Sequence, residues 1–288
     1  MEKDIDPEST PELSIEECIA VVRTKLDQLE IIDNSYFKKD RDVKMRELYD
    51  NIISLLDQKM FDVNNASKKV QAGTKNSINS KVKSEYYYLK GKTLDFIPEF
   101  QKEAEENLAK AVKLKPCWNE PMRALAHVYW KKGDYEKSVL LYNNAIEEEP
   151  NDKRALRELS MVIRRLPSAA PKDKAKILAD SIDYAKKAVS IDFKDSESWY
   201  VLGNAHLTNF FMGGQNYEHL DFALKAYTQS EKLQVYQNPD LYFNRGTIYN
   251  YLERYSESIN DLEKSHSIDP NLGARNKAKA ISEFVASV

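Results

Sequence analysis

The segments 119–152, NEPMRALAHVYWKKGDYEKSVLLYNNAIEEEPND, and 239–272, PDLYFNRGTIYNYLERYSESINDLEKSHSIDPNL, repeat one pattern over 34 residues each. Both place large, small and proline residues at the same eight positions. In the first copy these are Met122, Leu125, Ala126, Tyr129, Ser138, Tyr142, Ala145 and Pro150; in the second they are Tyr242, Arg245, Gly246, Tyr249, Ser258, Leu262, Ser265 and Pro270. Eight matching positions in register indicate a structural repeat rather than chance similarity.

The spacing of this pattern is that of the tetratricopeptide repeat, in which each unit is a pair of antiparallel helices. Small residues at the eighth, twentieth and twenty-seventh places allow close helix packing, and proline at the thirty-second place ends the second helix. Gly133-Asp134 and Glu253-Arg254 fall where the two helices join. Because stacked hairpins create long concave surfaces, the pattern predicts a protein that binds other proteins.

Three weaker copies begin at about residues 84, 153 and 196. Their eighth-place residues are Gly91, Ser160 and Gly203, and the steps between successive eighth places are 35, 34, 43 and 43 residues. About nine residues are therefore added to each of the third and fourth repeats, including 166–171 and 210–215, which we expect inside hairpin turns. The predicted fold class is an all-α tetratricopeptide-repeat superhelix of about five helix hairpins.

The segments on either side of the repeats carry their own helical signals. Ser14 and Glu17 have the spacing of a capping box, and apolar residues follow at helical intervals; a second helix is predicted over 42–61. The prediction for domains is an N-terminal helical cap over 1–61, a repeat array over 84–273 and a C-terminal closing helix over 274–288. Residues 62–83 are read as a polar linker, with a weakly helical extension as the alternative.

Composition argues against several classes of function. The net charge of −3 provides no general field for nucleic acid, so we expect no direct sequence-specific DNA binding. Two distant cysteines, Cys18 and Cys117, favour the reducing cytoplasm and nucleus, and neither they nor the scattered histidines have metal-ligand spacing. No run of 18 apolar residues indicates a membrane span, and the acidic start is unlike a secretory signal. Phosphate-loop and metalloprotease motifs are missing, so we expect no enzyme activity, no cofactor and no metal.

The concave face of such an array is lined by the second, fifth, ninth, twelfth and thirteenth places of each first helix. The middle of the groove then carries an arginine cluster suited to carboxylates, and its C-terminal half an acid with aromatics. The alternative is that these charges are simply solvated. The candidate peptide-binding residues are Arg123, Trp130, Arg154, Arg157, Arg164, Tyr200, Asn204, Asp240, Phe243, Asn244 and Tyr251.

Asn204 and Asn244 occupy places whose amides can hold a peptide backbone or terminus. Chaperone-tail binders combine this pair with a lysine at the place that Tyr200 occupies here. A complete carboxylate clamp is therefore not predicted, and a co-chaperone role is the third choice.

Several runs of residues resemble the tetratricopeptide repeat protein 5 family, also called Strap. They are Ala111–Pro116, Val128–Asp134, Leu159–Arg164, Ser198–Ala205, Gly214–Asn216 and Asn238–Arg245. The similarity covers about residues 84–272 and includes both insertions. The family also carries a C-terminal β domain of the oligonucleotide-binding type, whereas this sequence ends soon after the fifth repeat, so functions that depend on that domain are not expected of it.

The resemblance implies a factor that recognises the Met-Arg-Glu start of nascent tubulin at the ribosome and triggers decay of tubulin mRNA. It also implies, as the alternative, a stress-responsive transcription cofactor that binds a histone acetyltransferase complex. Arg164 and Asp240 match family residues that hold the nascent peptide, and Lys113 matches a lysine that faces the ribosome. An mRNA-decay adaptor is a further implied partner, and the implied location is cytoplasmic and nuclear. The family's acidic residue after the last repeat falls near Ala274.

Overall fold

Thirteen α-helices form most of the part of the chain that the computed structural model describes, which comprises residues 14–34, 41–65, 76–167 and 170–287, and this part contains no β-strand. The helices are α1 Ile15–Asn34, α2 Arg41–Asn65, α3 Asn76–Leu94, α4 Lys102–Leu114, α5 Asn119–Lys132, α6 Tyr135–Glu148, α7 Lys153–Ile163, α8 Pro171–Ile191, α9 Ser196–Met212, α10 Glu218–Leu233, α11 Pro239–Tyr251, α12 Tyr255–Ile268 and α13 Ala274–Ser287. A short 3₁₀ helix, Pro270–Leu272, precedes α13. The predicted all-α repeat superhelix is confirmed.

The eighth-place small residues lie where the two helices of a hairpin touch. A Cβ atom added to Gly203 would lie 2.5 Å from the ring of Tyr227, and one added to Gly91 would lie 2.6 Å from Leu108. Both distances are far below van der Waals contact, so the helix pairs α9–α10 and α3–α4 cannot approach this closely with a larger residue. The small residues at the eighth place thus mark where the two helices of each hairpin pack most closely.

Serines at the twentieth place add a hydrogen bond to this close contact. The hydroxyls of Ser138 and Ser258 each donate to the carbonyl of the eighth-place residue, Ala126 or Gly246, over 2.7 Å. In the third repeat, Ser181 donates to the carbonyl of Ser160 over 2.8 Å. A fully buried hydroxyl is thereby satisfied in each of these three hairpins, which offsets the cost of burying it.

The helix ends follow local capping chemistry. Ser14 and Glu17 form the predicted reciprocal capping box, with N···O distances of 3.2 and 2.8 Å. Asp152 and Asn238 accept hydrogen bonds from the first backbone amides of α7 and α11. Gly133 adopts a left-handed conformation with φ of 83° and ends α5, as a glycine at this place allows.

The N-terminal helices share one hydrophobic core with the first repeats. Leu26 and Leu29 of α1, Ile52 and Leu56 of α2 and Leu89 of α3 belong to the same buried cluster. The pair α1–α2 therefore extends the array as a further hairpin. The predicted linker over 62–83 is shorter than expected, because α2 continues to Asn65 and α3 begins at Asn76; the rest of it lies outside the described residues.

Both insertions lengthen helices as well as turns. In the third repeat, α8 has 21 residues, compared with 14 in α6 and α12. In the fourth repeat, α9 has 17 residues and continues to Met212. Residues 210–212 therefore form its last turn instead of the hairpin turn that the sequence predicts. Phe210 is fully buried, whereas Phe211 and Met212 are about half exposed. The last turn of α9 therefore packs through Phe210 and exposes Phe211 and Met212.

The final helix covers the end of the array. Ala278 and Ile281 of α13 are buried against Leu262 of α12. Phe284 and Val285, one turn later, remain about half exposed. This helix also presents one lysine to the concave surface, as described below.

Candidate functional site

The first helices of successive hairpins, α5, α7, α9 and α11, together with α13, line a concave surface that we call the groove. Repeat stacking sets this curvature, because each hairpin packs mainly on its neighbours in the array. The sequence-predicted residues of the second to fifth repeats all lie on these helices or at the residue after α7. Their charges are partnered very differently in the two halves of the groove.

The N-terminal half contains a cavity of 380 Å³ lined by charges that pair with one another. Arg123 lies 2.9 Å from Asp152, and Lys131 lies 2.9 Å from Asp95, which also accepts a 2.6 Å hydrogen bond from His127. Burial alone would raise the pKa of the nearby Glu30, but Lys92 and Arg154 lower it overall. These charges are compensated within the protein.

Two arginines of the predicted cluster are also neutralised in this way. Arg157 is buried and forms salt bridges with Asp195 and, over 2.5 Å, with Glu197, both near the start of α9. Arg154 pairs with Glu158 at 3.4 Å. Acids within the protein therefore compensate two members of the predicted arginine cluster: Glu158 on the same helix pairs with Arg154, whereas Arg157 joins α7 to the start of α9.

Arg164 differs from both, because no carboxylate in the described part of the chain pairs with it. It follows the last residue of α7 and donates a 3.2 Å hydrogen bond to the hydroxyl of Thr208 on α9. Burial lowers the pKa of Arg164 to about 10, and the positive charge of Arg165 also lowers it. A partly buried guanidinium with only a neutral partner favours an anion from outside the protein.

Asp240 is the counterpart of opposite sign. It lies in the first turn of α11, where Asn238 caps the helix and Pro239 begins it. Burial raises the pKa of this carboxyl, and the neighbouring Asp269 raises it further. Among the described residues no lysine, arginine or histidine forms a salt bridge with it. A partly buried carboxylate without a cation favours a positively charged ligand group.

A chain of hydrogen bonds joins the Arg164 side of the groove to α11. Thr208, the partner of Arg164, donates to the carbonyl of Asn204 over 2.8 Å. The side-chain oxygen of Asn204 accepts hydrogen bonds from Tyr227, at 2.6 Å, and from the amide of Asn244, at 3.1 Å. The two predicted asparagines are therefore brought together by a hydrogen bond within the protein. This bond uses the side-chain oxygen of Asn204 and one amide hydrogen of Asn244.

Aromatic residues line the rest of the groove. Trp130 is about two-fifths exposed and stacks on His127 at 5.4 Å between ring centroids. Tyr200 packs 6.1 Å from the buried ring of Tyr227. Tyr251, at the end of α11, contacts Phe210 edge-on at 4.9 Å. These rings offer apolar area beside the charged positions.

On the same helix, the ring of Phe243 lies under the side chain of Lys277 of α13, and the ammonium nitrogen is 4.8 Å from the ring centroid. Sequence reasoning missed Lys277 because it lies after the last recognisable repeat. If a further repeat is counted from Gly273, Lys277 occupies its fifth place, which is a groove position in the other repeats. That spacing could have identified it.

Lys113 lies outside the groove, on the second helix α4. It is exposed, and Lys110 and Lys115 are close to it in sequence. In the described part of the structure none of the three forms a salt bridge, and Lys110 and Lys115 lie over the rings of Tyr87 and Trp118. These lysines form a small basic surface on the outer side of the first repeat.

Two histidines that are isolated in the sequence form a pair in the structure. The Nδ1 atoms of His206 on α9 and His219 on α10 are 2.9 Å apart, and burial lowers the pKa of His206 to about 4. Within the described ranges, no cluster of three His, Cys, Asp or Glu side chains could hold a metal ion. Nor does any described helix combine the length and apolar character needed to cross a membrane.

Comparisons with known proteins agree with this architecture. The Tetratricopeptide repeat family matches residues 124–152 and 239–272. Tetratricopeptide repeat protein 5 of Mus musculus is 39% identical over 194 residues, covering 67% of this chain and 44% of that protein. The human protein of the same name is 35% identical over 242 residues, covering 79% of this chain and 55% of that protein. The chain thus spans about half the length of these curated relatives.

Solved structures show the same fold at low sequence identity. A thermophilic TPR protein of Thermus thermophilus has a TM-score of 0.57 and 16% identity, covering 69% of this chain and 98% of that one. Pseudomonas aeruginosa pilF has a TM-score of 0.54 and 11% identity, covering 95% of this chain and 99% of that one. At such identities the likeness extends to the fold alone.

Proposed function

Because the chain is a tetratricopeptide-repeat protein whose curated homologues are named tetratricopeptide repeat protein 5, we propose that it is a non-enzymatic peptide-binding adaptor for nascent tubulin. It would recognise the Met-Arg-Glu start of tubulin at the ribosome and initiate decay of tubulin mRNA through an mRNA-decay adaptor. The observation that supports this ligand is the pair of uncompensated, opposite charges at Arg164 and Asp240.

The proposed binding mode follows from this charge arrangement. The peptide's glutamate lies near Arg164 and its arginine near Asp240, so both partly buried charges acquire ionic partners only when the peptide is bound. Neighbouring groove charges such as Arg157 are already paired within the protein and contribute less. Removing one partner of a desolvated ion pair typically costs about 2–5 kcal/mol, which is roughly 30-fold to several thousand-fold in affinity.

The basic surface around Lys113 supports the ribosomal part of the proposal. Unpaired lysines interact with phosphate as point charges, without requiring a particular base sequence. The groove and this surface lie on opposite sides of the first repeats, since α4 is a second helix and the groove is built from first helices. A nascent peptide and the ribosome could therefore contact the protein at the same time.

A charge exchange tests the binding mode. Asp240→Arg should abolish binding of a labelled Met-Arg-Glu peptide in fluorescence anisotropy, and a peptide with Glu in place of its Arg should recover part of the affinity. Arg164→Ala should weaken binding of the same peptide by at least about 30-fold, as expected when one partner of a desolvated ion pair is removed. Arg165→Ala is its matched control, because Arg165 is the exposed neighbour of Arg164. This control should change the affinity less than about threefold, as expected of a solvated rim charge. Equal binding of both peptides by the wild-type protein and by Asp240→Arg would show that these groove charges are only solvated.

The cellular part of the proposal needs a separate measurement. The protein should recover ribosomes with tubulin chains from lysate, and puromycin, which releases nascent chains, should abolish that recovery. Puromycin-insensitive recovery of a nuclear histone acetyltransferase complex would instead favour the alternative role as a transcription-cofactor scaffold.

A further inference from the structure

Lys277 lies at the C-terminal end of the groove, on α13. Its ammonium group donates a 2.8 Å hydrogen bond to the hydroxyl of Thr247 and lies 4.8 Å from the ring centroid of Phe243. Phe243 and Thr247 occupy the fifth and ninth places of the fifth repeat, which are groove positions. The closing helix thus adds a charged residue to the surface formed by the repeats.

This ammonium has no carboxylate partner in the described part of the chain. Other lysines in the last two helices do, because Lys264 lies 2.9 Å from Glu231 and Lys279 lies 3.7 Å from Glu283. Burial lowers the pKa of Lys277, with no opposing charge to raise it. A hydroxyl and a ring face satisfy an ammonium group less well than a carboxylate, and the geometry leaves further N–H donors available.

Three partly buried charges of the groove lack an ionic partner in the described part of the chain, and they follow in order: Arg164 after α7, Asp240 on α11 and Lys277 on α13. A ligand that satisfies all three needs an acid, a base and an acid along its length. If the peptide's glutamate faces Arg164 and its arginine faces Asp240, the second acid precedes the arginine.

We propose that Lys277 is a specificity-determining residue that binds a second carboxylate of the ligand, located before the Arg-Glu pair. The groove then accepts a second class of ligand, an internal peptide segment with an acidic residue ahead of Arg-Glu. The inference rests on the proposed binding of Arg-Glu at Asp240 and Arg164 and extends it beyond a chain's start.

The test uses acetylated peptides of equal length that contain Gly-Gly-Gly-Met-Arg-Glu, with aspartate replacing each glycine in turn. In fluorescence anisotropy, the best aspartate peptide should bind the wild-type protein about tenfold more tightly than the glycine peptide, which corresponds to about 1.4 kcal/mol. Lys277→Met retains the apolar stem over Phe243 and should reduce this ratio to less than twofold. Lys277→Arg retains the charge and should preserve most of it.

Lys279→Met is the matched control, since Lys279 is on the same helix and exposed, and it should leave the tenfold ratio unchanged. Melting curves of the variants establish that they remain folded. The inference alone would be overturned if the glycine peptide binds through Asp240 but no aspartate peptide binds more tightly than it. It would also be overturned if Lys277→Met leaves the affinity ratio of the aspartate and glycine peptides unchanged. Failure of every acetylated peptide, with binding retained by a peptide that begins with Met-Arg-Glu, would also overturn this inference alone, whereas failure of that peptide too would overturn the proposed function.

Discussion

Acidification should destabilise the fourth repeat through the buried histidine pair. His206 is 5% exposed, and its Nδ1 atom is 2.9 Å from that of His219, so the pair cannot accept two protons without losing this hydrogen bond. Burial lowers the pKa of His206 to about 4, and the charges of His219 and Lys186 also disfavour its protonation. The perturbation we consider is a change from pH 7 to pH 5, with His206→Gln as the test variant.

The magnitude follows from proton linkage. An unfolded histidine titrates near pH 6.5, so below this pH the unfolded chain binds a proton that the folded protein excludes. Stability therefore falls as the pH falls from about 6.5 through about 4. With these two pKa values, the contribution of His206 to the free energy of unfolding decreases by about 2 kcal/mol between pH 7 and pH 5, and by about 3 kcal/mol in total.

Urea denaturation followed by circular dichroism measures this contribution at the two pH values. The wild-type protein should lose about 2 kcal/mol more than His206→Gln between pH 7 and pH 5, because carboxylates that titrate in both proteins cancel in the comparison. The same pH-dependent loss in the wild type and in His206→Gln would show that His206 does not carry this pH dependence.

Two further predictions concern packing in the same repeat. Gly203→Ala should lower the free energy of unfolding by about 1–3 kcal/mol, since the new Cβ would overlap the ring of Tyr227; an unchanged denaturation midpoint would contradict the close contact. Phe210→Ala should cost about 3–5 kcal/mol and Phe211→Ala less than about 1 kcal/mol, because only the first ring is fully buried. Similar melting temperatures for these two variants would show that the end of α9 is not packed as described.

The repeat architecture could be predicted from the sequence because it depends on local spacing. The small residues at Ala126 and Gly246, and the serines twelve residues later, encode a contact between helices that are adjacent in the chain. Capping at Ser14 is equally local. The insertions were predicted less well, since extra residues can enter a turn or extend a helix, and the burial of Phe210 against α10 and α11 favours the helix.

The partnering of the groove charges depended on residues far apart in sequence. Arg157 finds its acid at Asp195, 38 residues away, and no spacing rule indicates that salt bridge. Arg164 and Arg157 are equivalent in the sequence as groove arginines, but only Arg164 lacks a carboxylate in the described structure. Whether a charge is available to a ligand is decided by the helices that pack beside it.

The helix hairpins, their number within the recognisable array and the residue types that face the groove can be predicted from the amino-acid sequence alone, because all three follow from a period of 34 residues. Which charges are paired within the protein, and which remain available to a ligand, depends on how the helices pack. The same packing brings Lys277 over Phe243 and His206 beside His219. The physical reason is that electrostatic compensation and burial depend on the stacking of neighbouring helices, whereas helix formation depends on residues within a few turns.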